Sequence, residues 1–175
     1  MNKSYFIIGS DGYVSQLVAT SGGEVPVGGV EVPAELPMQP SPWHRLHWGT
    51  LQWVDQRTLD MAKAAKRAEI NAARNIANTS SFTFGGKQIA ADELSQRDID
   101  KVALKVARSG QLPADFPGAW KAVDNTYVPI PDVATWDVFM DAMIAQGTAN
   151  FARAQARKAA IEAATTVGEV DAVVW

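Results

Sequence analysis

The chain contains no cysteine, which excludes disulfides and thiolate metal sites. Histidine is nearly absent as well, with only His44 and His47 available for imidazole chemistry. No apolar run approaches the ~20 residues that a membrane-spanning helix requires. Near the N-terminus, Tyr5-Phe6-Ile7-Ile8 is cut short by Gly9-Ser10-Asp11-Gly12. That run is shorter than the ~7–15 residues of a signal-peptide core, so no export signal is expected and synthesis in a cytoplasm is. Neither charge sign dominates: 16 Lys+Arg face 19 Asp+Glu, for a net charge of −3. Such a balance supplies no broad basic field for nucleic acid or an anionic membrane. Neither a Gly-x-Ser-x-Gly elbow nor a phosphate-binding loop occurs.

What is present fits one domain, or one domain with an arm: 175 residues, of which 47 % are hydrophobic. Two compositional regimes meet near residue 57. The first is rich in proline and glycine and has no helical period. Tyr5–Ile8 and Tyr13–Val18 flank a Ser10-Asp11-Gly12 turn and predict a β-hairpin. Residues 21–42 carry Pro26, Pro33, Pro37, Pro40 and Pro42 and predict an extended, irregular segment that orders only on a partner. Trp43, Trp48 and Trp53 surround a Gly49-Thr50 turn, which predicts a second hairpin with a large aromatic payload.

From Thr58 to about Asn78 the period becomes helical. Met61, Ala65, Ala68, Ala72 and Ile76 form one apolar stripe, and Leu59, Ile70, Ala73 and Ala77 form a second. A helix apolar on two sides calls for two neighbours. Phe82-Thr83-Phe84, Gly85-Gly86 and Lys87–Ile89 predict a short hairpin with a tight primed turn. Ser95 with Asp98 three residues later predicts a capping box opening a helix that ends at Ser109-Gly110. Ala122–Ile130 reads as a strand interrupted at Asp124-Asn125, at a sheet edge because of Pro129. Asp132 is expected to cap a long helix over 133–163, with Trp136, Phe139, Met140, Met143, Gly147, Phe151, Ala154 and Ile161 on one face. Its back carries Val138, Ala145, Ala149, Ala152, Ala156 and Ala163. Thr166 and Glu169 repeat the capping box before a short helix running to Val174-Trp175.

The expected fold is therefore α+β and mostly α. A β-rich N-terminal arm, 1–57, precedes a helical module, 58–175, with a small β-hairpin inserted at 82–89. Phe82 and Phe84 are expected to fill the space between the two long helices.

Little of this carries chemistry. In a strand, His44 and His47 project to opposite faces, which disfavours a shared metal. Asp92, Glu93, Asp98 and Asp100 crowd one region, but a helix N-terminus attracts acidic residues without any catalysis. Lys63, Lys66, Arg67 and Arg74, with Arg153, Arg157 and Lys158, give the long helices basic edges suited to solvent or to acidic neighbours in an assembly. Trp43, Trp48 and Trp53 admit three readings, core capping, a protein interface, or stacking on sugars, and Tyr5 and Phe6 join them as candidate interface residues. Ala65, Ala68 and Ala72 on one helix and Ala145, Ala149, Ala152 and Ala156 on the other fill a solvent side or permit close self-association. No cofactor is expected.

Several segments taken in order resemble one module. They are Trp53-Val-Asp55-Gln-Arg57-Thr, the Arg67-Ala-Glu69-Ile helix, Phe82-Thr-Phe84-Gly-Gly-Lys, the helix start over Asp92–Ile99, Trp120-Lys-Ala-Val-Asp124-Asn125, and Ile161-Glu-Ala-Ala-Thr-Thr-Val-Gly-Glu169-Val. The module is a domain of unknown function common in the C-terminal region of tailed-phage tail-fibre and baseplate-associated proteins, and the likeness covers roughly 53–175. Residues 1–52 resemble more loosely the β-rich N-terminal part that often precedes it. The resemblance implies a structural virion component of a phage tail, not an enzyme, with other tail or baseplate proteins as partners. It further implies homo-oligomers, with a trimer favoured; the charge balance and the lack of a long apolar run separately give no expectation of nucleic acid or membrane insertion. A host surface glycan is a further candidate partner. A tail-fibre assembly chaperone, not retained in the virion, is the competing reading.

Overall fold

The computed structural model describes residues 3–21, 24–33 and 36–175. The chain is α+β, with strands first and long helices after. It divides into two compact units, one ending at Thr58 and the other spanning Leu59–Trp175.

In the first unit, β1 (Lys3–Ile8) pairs antiparallel with β2 (Val14–Thr20) around the expected turn, Tyr5 opposite Val18 and Phe6 opposite Leu17. The Asp11 carboxylate accepts the Tyr13 N–H at 3.1 Å, an Asx turn that closes the hairpin. The other edge of β1 is taken by β3 (Gly29–Glu31), with Tyr5 opposite Glu31. The 21–42 segment is thus not irregular throughout: Val30 and its neighbours complete a three-stranded sheet, order β2-β1-β3. Residues 22–23 and 34–35 of that segment lie outside the described residues. The second predicted hairpin forms as β4 (His44–His47) and β5 (Gln52–Asp55), Leu46 opposite Trp53. A bridge from Tyr13 to His47 and the Trp48 N–H donating to the Gly12 carbonyl at 3.0 Å join this hairpin to the sheet.

The second unit is organised by its longest helix. Here α1 (Leu59–Asn78) leads into the hairpin β6 (Ser81–Phe84) and β7 (Lys87–Ala90). Gly85 and Gly86 have φ of +56° and +75°, the left-handed pair that a type I′ turn needs. A Cβ on Gly85 would also lie 2.7 Å from Val128. Next comes α2 (Glu93–Ser109), whose N-cap is Asp92 and not Ser95. The Asp92 carboxylate accepts the Leu94 and Ser95 N–H groups and the Ser95 hydroxyl as well. Ser95 therefore sits inside the first turn. Gly110, at φ +65°, ends the helix with its N–H donating to the Val106 carbonyl.

The following strand is in fact a hairpin that starts earlier, β8 (Ala119–Lys121) with β9 (Tyr127–Pro129). Residues 122–126 are spent on its connection, where Asn125 takes φ +64°. Asp132 then caps α3 (Val133–Ala163) by accepting the Thr135 N–H at 2.8 Å. Thr166 and Glu169 form the expected reciprocal box at α4 (Val167–Asp171). That helix stops at Asp171, short of Val174-Trp175.

Two hydrophobic clusters lie along α3. The first gathers Phe82, Ile89, Ile99, Val128, Ile130, Trp136 and Phe139. The second consists of Ala62, Ile70, Ala154, Ile161, Ala164 and Val170. Phe82 and Phe84 meet Phe139 edge-on at 5.1 and 5.2 Å. They pack on α3, in a cluster to which α1 contributes no residue, so they do not fill a space between the two long helices.

Between the clusters sits Asn150, 3 % exposed. Its amide donates to the Asn78 side chain at 2.9 Å. Gln96 donates to the Asn78 carbonyl at 3.2 Å and the Ala91 carbonyl at 2.6 Å. A buried amide of this kind must find partners, because an unpaired one costs about 1–3 kcal/mol.

Candidate functional site

In the first unit the candidate aromatics separate by exposure. Tyr5 and Phe6 are buried, at 3 % and 8 %, so neither presents the contact surface expected of it. As adjacent residues of a strand they project to opposite faces, so each is covered from its own side, Phe6 by Trp48 among others. Trp43 is 46 % exposed. Trp48 and Trp53 are half-buried: Trp48 meets Phe6 edge-on at 6.3 Å, and the Trp53 indole N–H donates to the Pro37 carbonyl at 2.8 Å. An indole whose one donor is already used inside the unit is partly committed to structure. Of the three tryptophans, Trp43 is the outward-facing one.

The polar groups nearby are also engaged. Arg45 bonds Asp11 at 2.8 Å and lies over the Tyr13 ring. His44 and His47 exchange hydrogen bonds with Ser41 at 2.8 Å and Thr50 at 3.2 Å. Arg57 grips Asp55 through Nε at 2.9 Å and Nη2 at 2.5 Å. The Arg57 hydrogen bonds hold the Asp55 carboxyl at about 2, well below the ordinary carboxylate value. Among the described residues no three His, Asp or Glu side chains gather closely enough to hold a metal ion. No described helix is long and apolar enough to cross a membrane.

The acidic group at 92–100 is accounted for by capping and a surface pair, since Asp92 caps α2 and Asp98 bonds Lys101 at 2.8 Å. The basic edges of α1 and α3 are largely used within the unit. Lys63 donates to the Glu162 carbonyl at 2.7 Å, and Arg67 pairs with the Glu162 carboxylate. Arg74 lies over Phe151 and Arg153 over Trp175. These cations act as covers for apolar surface.

The alanines present a different picture. Ala65, Ala68 and Ala72 are exposed, between Met61 at 43 % and Ile76 at 69 %, on the side of α1 away from buried Ile70. Ala145, Ala149, Ala152 and Ala156 are exposed on α3, away from buried Ala154 and Ile161. The α3 stripe is longer than periodicity had suggested. Val138, Ala142, Ala145, Ala149, Ala152, Ala156, Ala159 and Ala163 follow one another in alternating steps of four and three, the spacing of a coiled-coil seam. Ala142 is half-buried and the other seven are exposed.

One concavity went unrecognised in the sequence. A groove of about 750 Å³ runs in the second unit between α2, represented by Ser95, Asp98 and Val102, and the β8 strand, with Phe116 and Trp120 in its lining. Phe116 stacks on Trp120 at 6.4 Å, and Trp120 touches Trp136 at 5.8 Å, so the groove is backed by the aromatic core. The tripeptide Ala119-Trp120-Lys121 was too short a strand to stand out.

Residues 61–174 match the model of a protein family described as a domain of unknown function (DUF4376). No curated protein and no solved structure matches the chain significantly.

Proposed function

The chain belongs to the DUF4376 family, and from that premise we propose that it is a structural component of a bacteriophage tail tip. In this reading it is a tail-fibre or baseplate-associated protein that links other tail proteins and supports host attachment. The observation that carries the proposal is the uninterrupted small-residue seam along the outside of α3, from Val138 to Ala163. Alanine at successive seam positions lets backbones approach closely, which suits packing between copies in an assembly. A second apolar stripe on α1, from Met61 to Ile76, gives each copy two such surfaces. The β-rich unit with exposed Trp43 serves as the attachment arm, since a large amphipathic ring is well suited to anchoring on another protein.

The resemblance to tail-fibre modules supplies the viral setting, so the protein is made in the host cytoplasm and resides in the tail. Mass spectrometry of purified virions tests this directly. Detection in stoichiometric amounts is expected, and absence from mature particles would leave the assembly chaperone as the better account. Self-association has its own check: sedimentation as a strict monomer at micromolar concentration would remove it.

A further inference from the structure

We propose that the groove beside β8 is a docking site for an extended peptide, which adds to the unit as a third strand. The hydrogen-bond phase of the hairpin carries the inference. Ile130 donates to the Gly118 carbonyl at 2.8 Å and Ala122 to the Thr126 carbonyl at 2.8 Å. Antiparallel pairs alternate between bonded and non-bonded positions, so Trp120 and Val128 form the bonded pair between them. The N–H and C=O groups of Ala119 and Lys121 therefore point away from β9, toward the other edge of β8, where no strand among the described residues pairs with them. Beyond them that edge closes again: the Val123 N–H donates to the Gln88 carbonyl at 2.9 Å. The opposite edge of the hairpin is blunted at Pro129, which has no N–H to offer. The β8 edge, with two outward N–H groups among the described residues against one (Tyr127) on β9, is the better edge for pairing.

Ala119, Trp120 and Lys121 of β8 all line the groove, and Ser95, Asp98, Lys101 and Val102 of α2 line it as well. A strand edge with a helix across from it is the geometry in which a peptide gains main-chain hydrogen bonds on one side and side-chain contacts on the other. The lining selects the occupant. Phe116, Trp120 and Val102 offer apolar surface for one seated side chain. Asp98 is already paired with Lys101. Lys121 and Asp115 line the groove without an ion pair among the described residues. The partner is accordingly an extended segment in which an apolar residue is flanked by an acidic one to meet Lys121 and a basic one to meet Asp115. A sugar would use the ring faces and leave the main-chain groups unmatched.

The test pans a displayed library of short random linear peptides on the full chain, then measures the enriched sequences as synthetic peptides. Binding should shift the backbone amides of Ala119 and Lys121 in NMR spectra. N-methylation at one residue of one phase should weaken binding about fivefold, and at one residue of the other phase should leave it intact, since a lost hydrogen bond contributes about 1 kcal/mol. Lys121→Pro should weaken binding similarly; that N–H makes no bond to β9, so the hairpin keeps its ladder. Should this variant melt early, the N-methyl series decides alone, because it leaves the protein untouched. The proposal is overturned if no peptide is enriched above background, or if enriched peptides tolerate methylation in both phases. It is equally overturned if soluble oligosaccharides shift the two amides while peptides do not.

Discussion

The two ends of α3 solve the same burial problem with opposite materials. Its N-terminal half inserts Trp136 and Phe139 into a cluster of rings: the two lie 5.2 Å apart, and Phe139 also meets Phe82, Phe84 and Trp120. Its C-terminal half buries Ala154 and Ile161 against Ala62 and Ile70 of α1. The rings of α3 pack with residues from the β-hairpins and from α2. Alanine instead lets α1 and α3 meet directly, with Val170 of α4 closing the same cluster. The aromatic end therefore gains from burying area and from ring geometry, whereas the alanine end gains from close approach. One end tolerates no loss of volume, and the other tolerates no addition.

The largest break in this comparison should come at the aromatic end. Phe139→Ala removes the ring shared by four aromatic contacts, and a loss of about 3–5 kcal/mol is expected in chemical denaturation. A loss below about 1 kcal/mol would mean that the ring cluster is not the stabilising core. At the alanine end the informative change is an enlargement. Ala154→Leu, at a position with no exposure, should destabilise by about 1–3 kcal/mol. Ala152→Leu, two residues away on the exposed seam, should stay within about 0.5 kcal/mol for the unassembled chain. Equal effects at the two positions would contradict the assignment of buried and seam faces.

The smallest effect concerns acid. At the aromatic end three carboxylates titrate below their ordinary range: Asp92 through the Ser95 hydroxyl and backbone amides, Asp124 through Lys87 and Thr126, and Asp132 through the Thr135 N–H and hydroxyl. The alanine end has Glu169 alone, held down by the Thr165 and Thr166 groups. Each of these carboxyls ionises more readily folded than unfolded. Their stabilisation is thus complete above about pH 4.5 and fades as pH falls below it. The thermal midpoint should decline in that range, and Asp124→Asn together with Asp132→Asn should flatten the decline. A double variant with an unaltered pH profile would show that these groups are not its source.

Much of the second unit was legible because its punctuation is chemical. Asp132, Thr166 with Glu169, Gly85-Gly86 and Gly110 each mark a boundary through a specific hydrogen bond or a positive φ. The start of α2 was misread because Asp92 and Ser95 are both competent caps three residues apart. The outcome turns on which oxygen meets free N–H groups, and a pattern of residue types does not record that. Periodicity also could not rank the two stripes of α1, since alanine serves equally well buried or exposed. Ile70 is fully buried, whereas Ile76 is 69 % exposed. The three-residue strands β3 and β8 carry too few residues to display a period, and the groove beside β8 stayed hidden with them. Tyr5 and Phe6 are surface candidates by residue type, but β3 and Trp48 come from segments whose sequence does not announce a place beside β1.

Alanine faces are smooth, and two smooth helices can slide along one another by a turn with little loss of contact. The Asn78–Asn150 bond removes that freedom. A displacement of α1 along α3 by one turn, about 5.4 Å, would carry both amides out of reach of each other and leave Asn150 buried without a partner. The pair thus acts as an index mark on an otherwise featureless rail. With Gln96 tied to the same asparagine, the mark also sets where α2 begins. Any surface built from the outer stripes of α1 and α3 inherits its axial offset from this one polar contact.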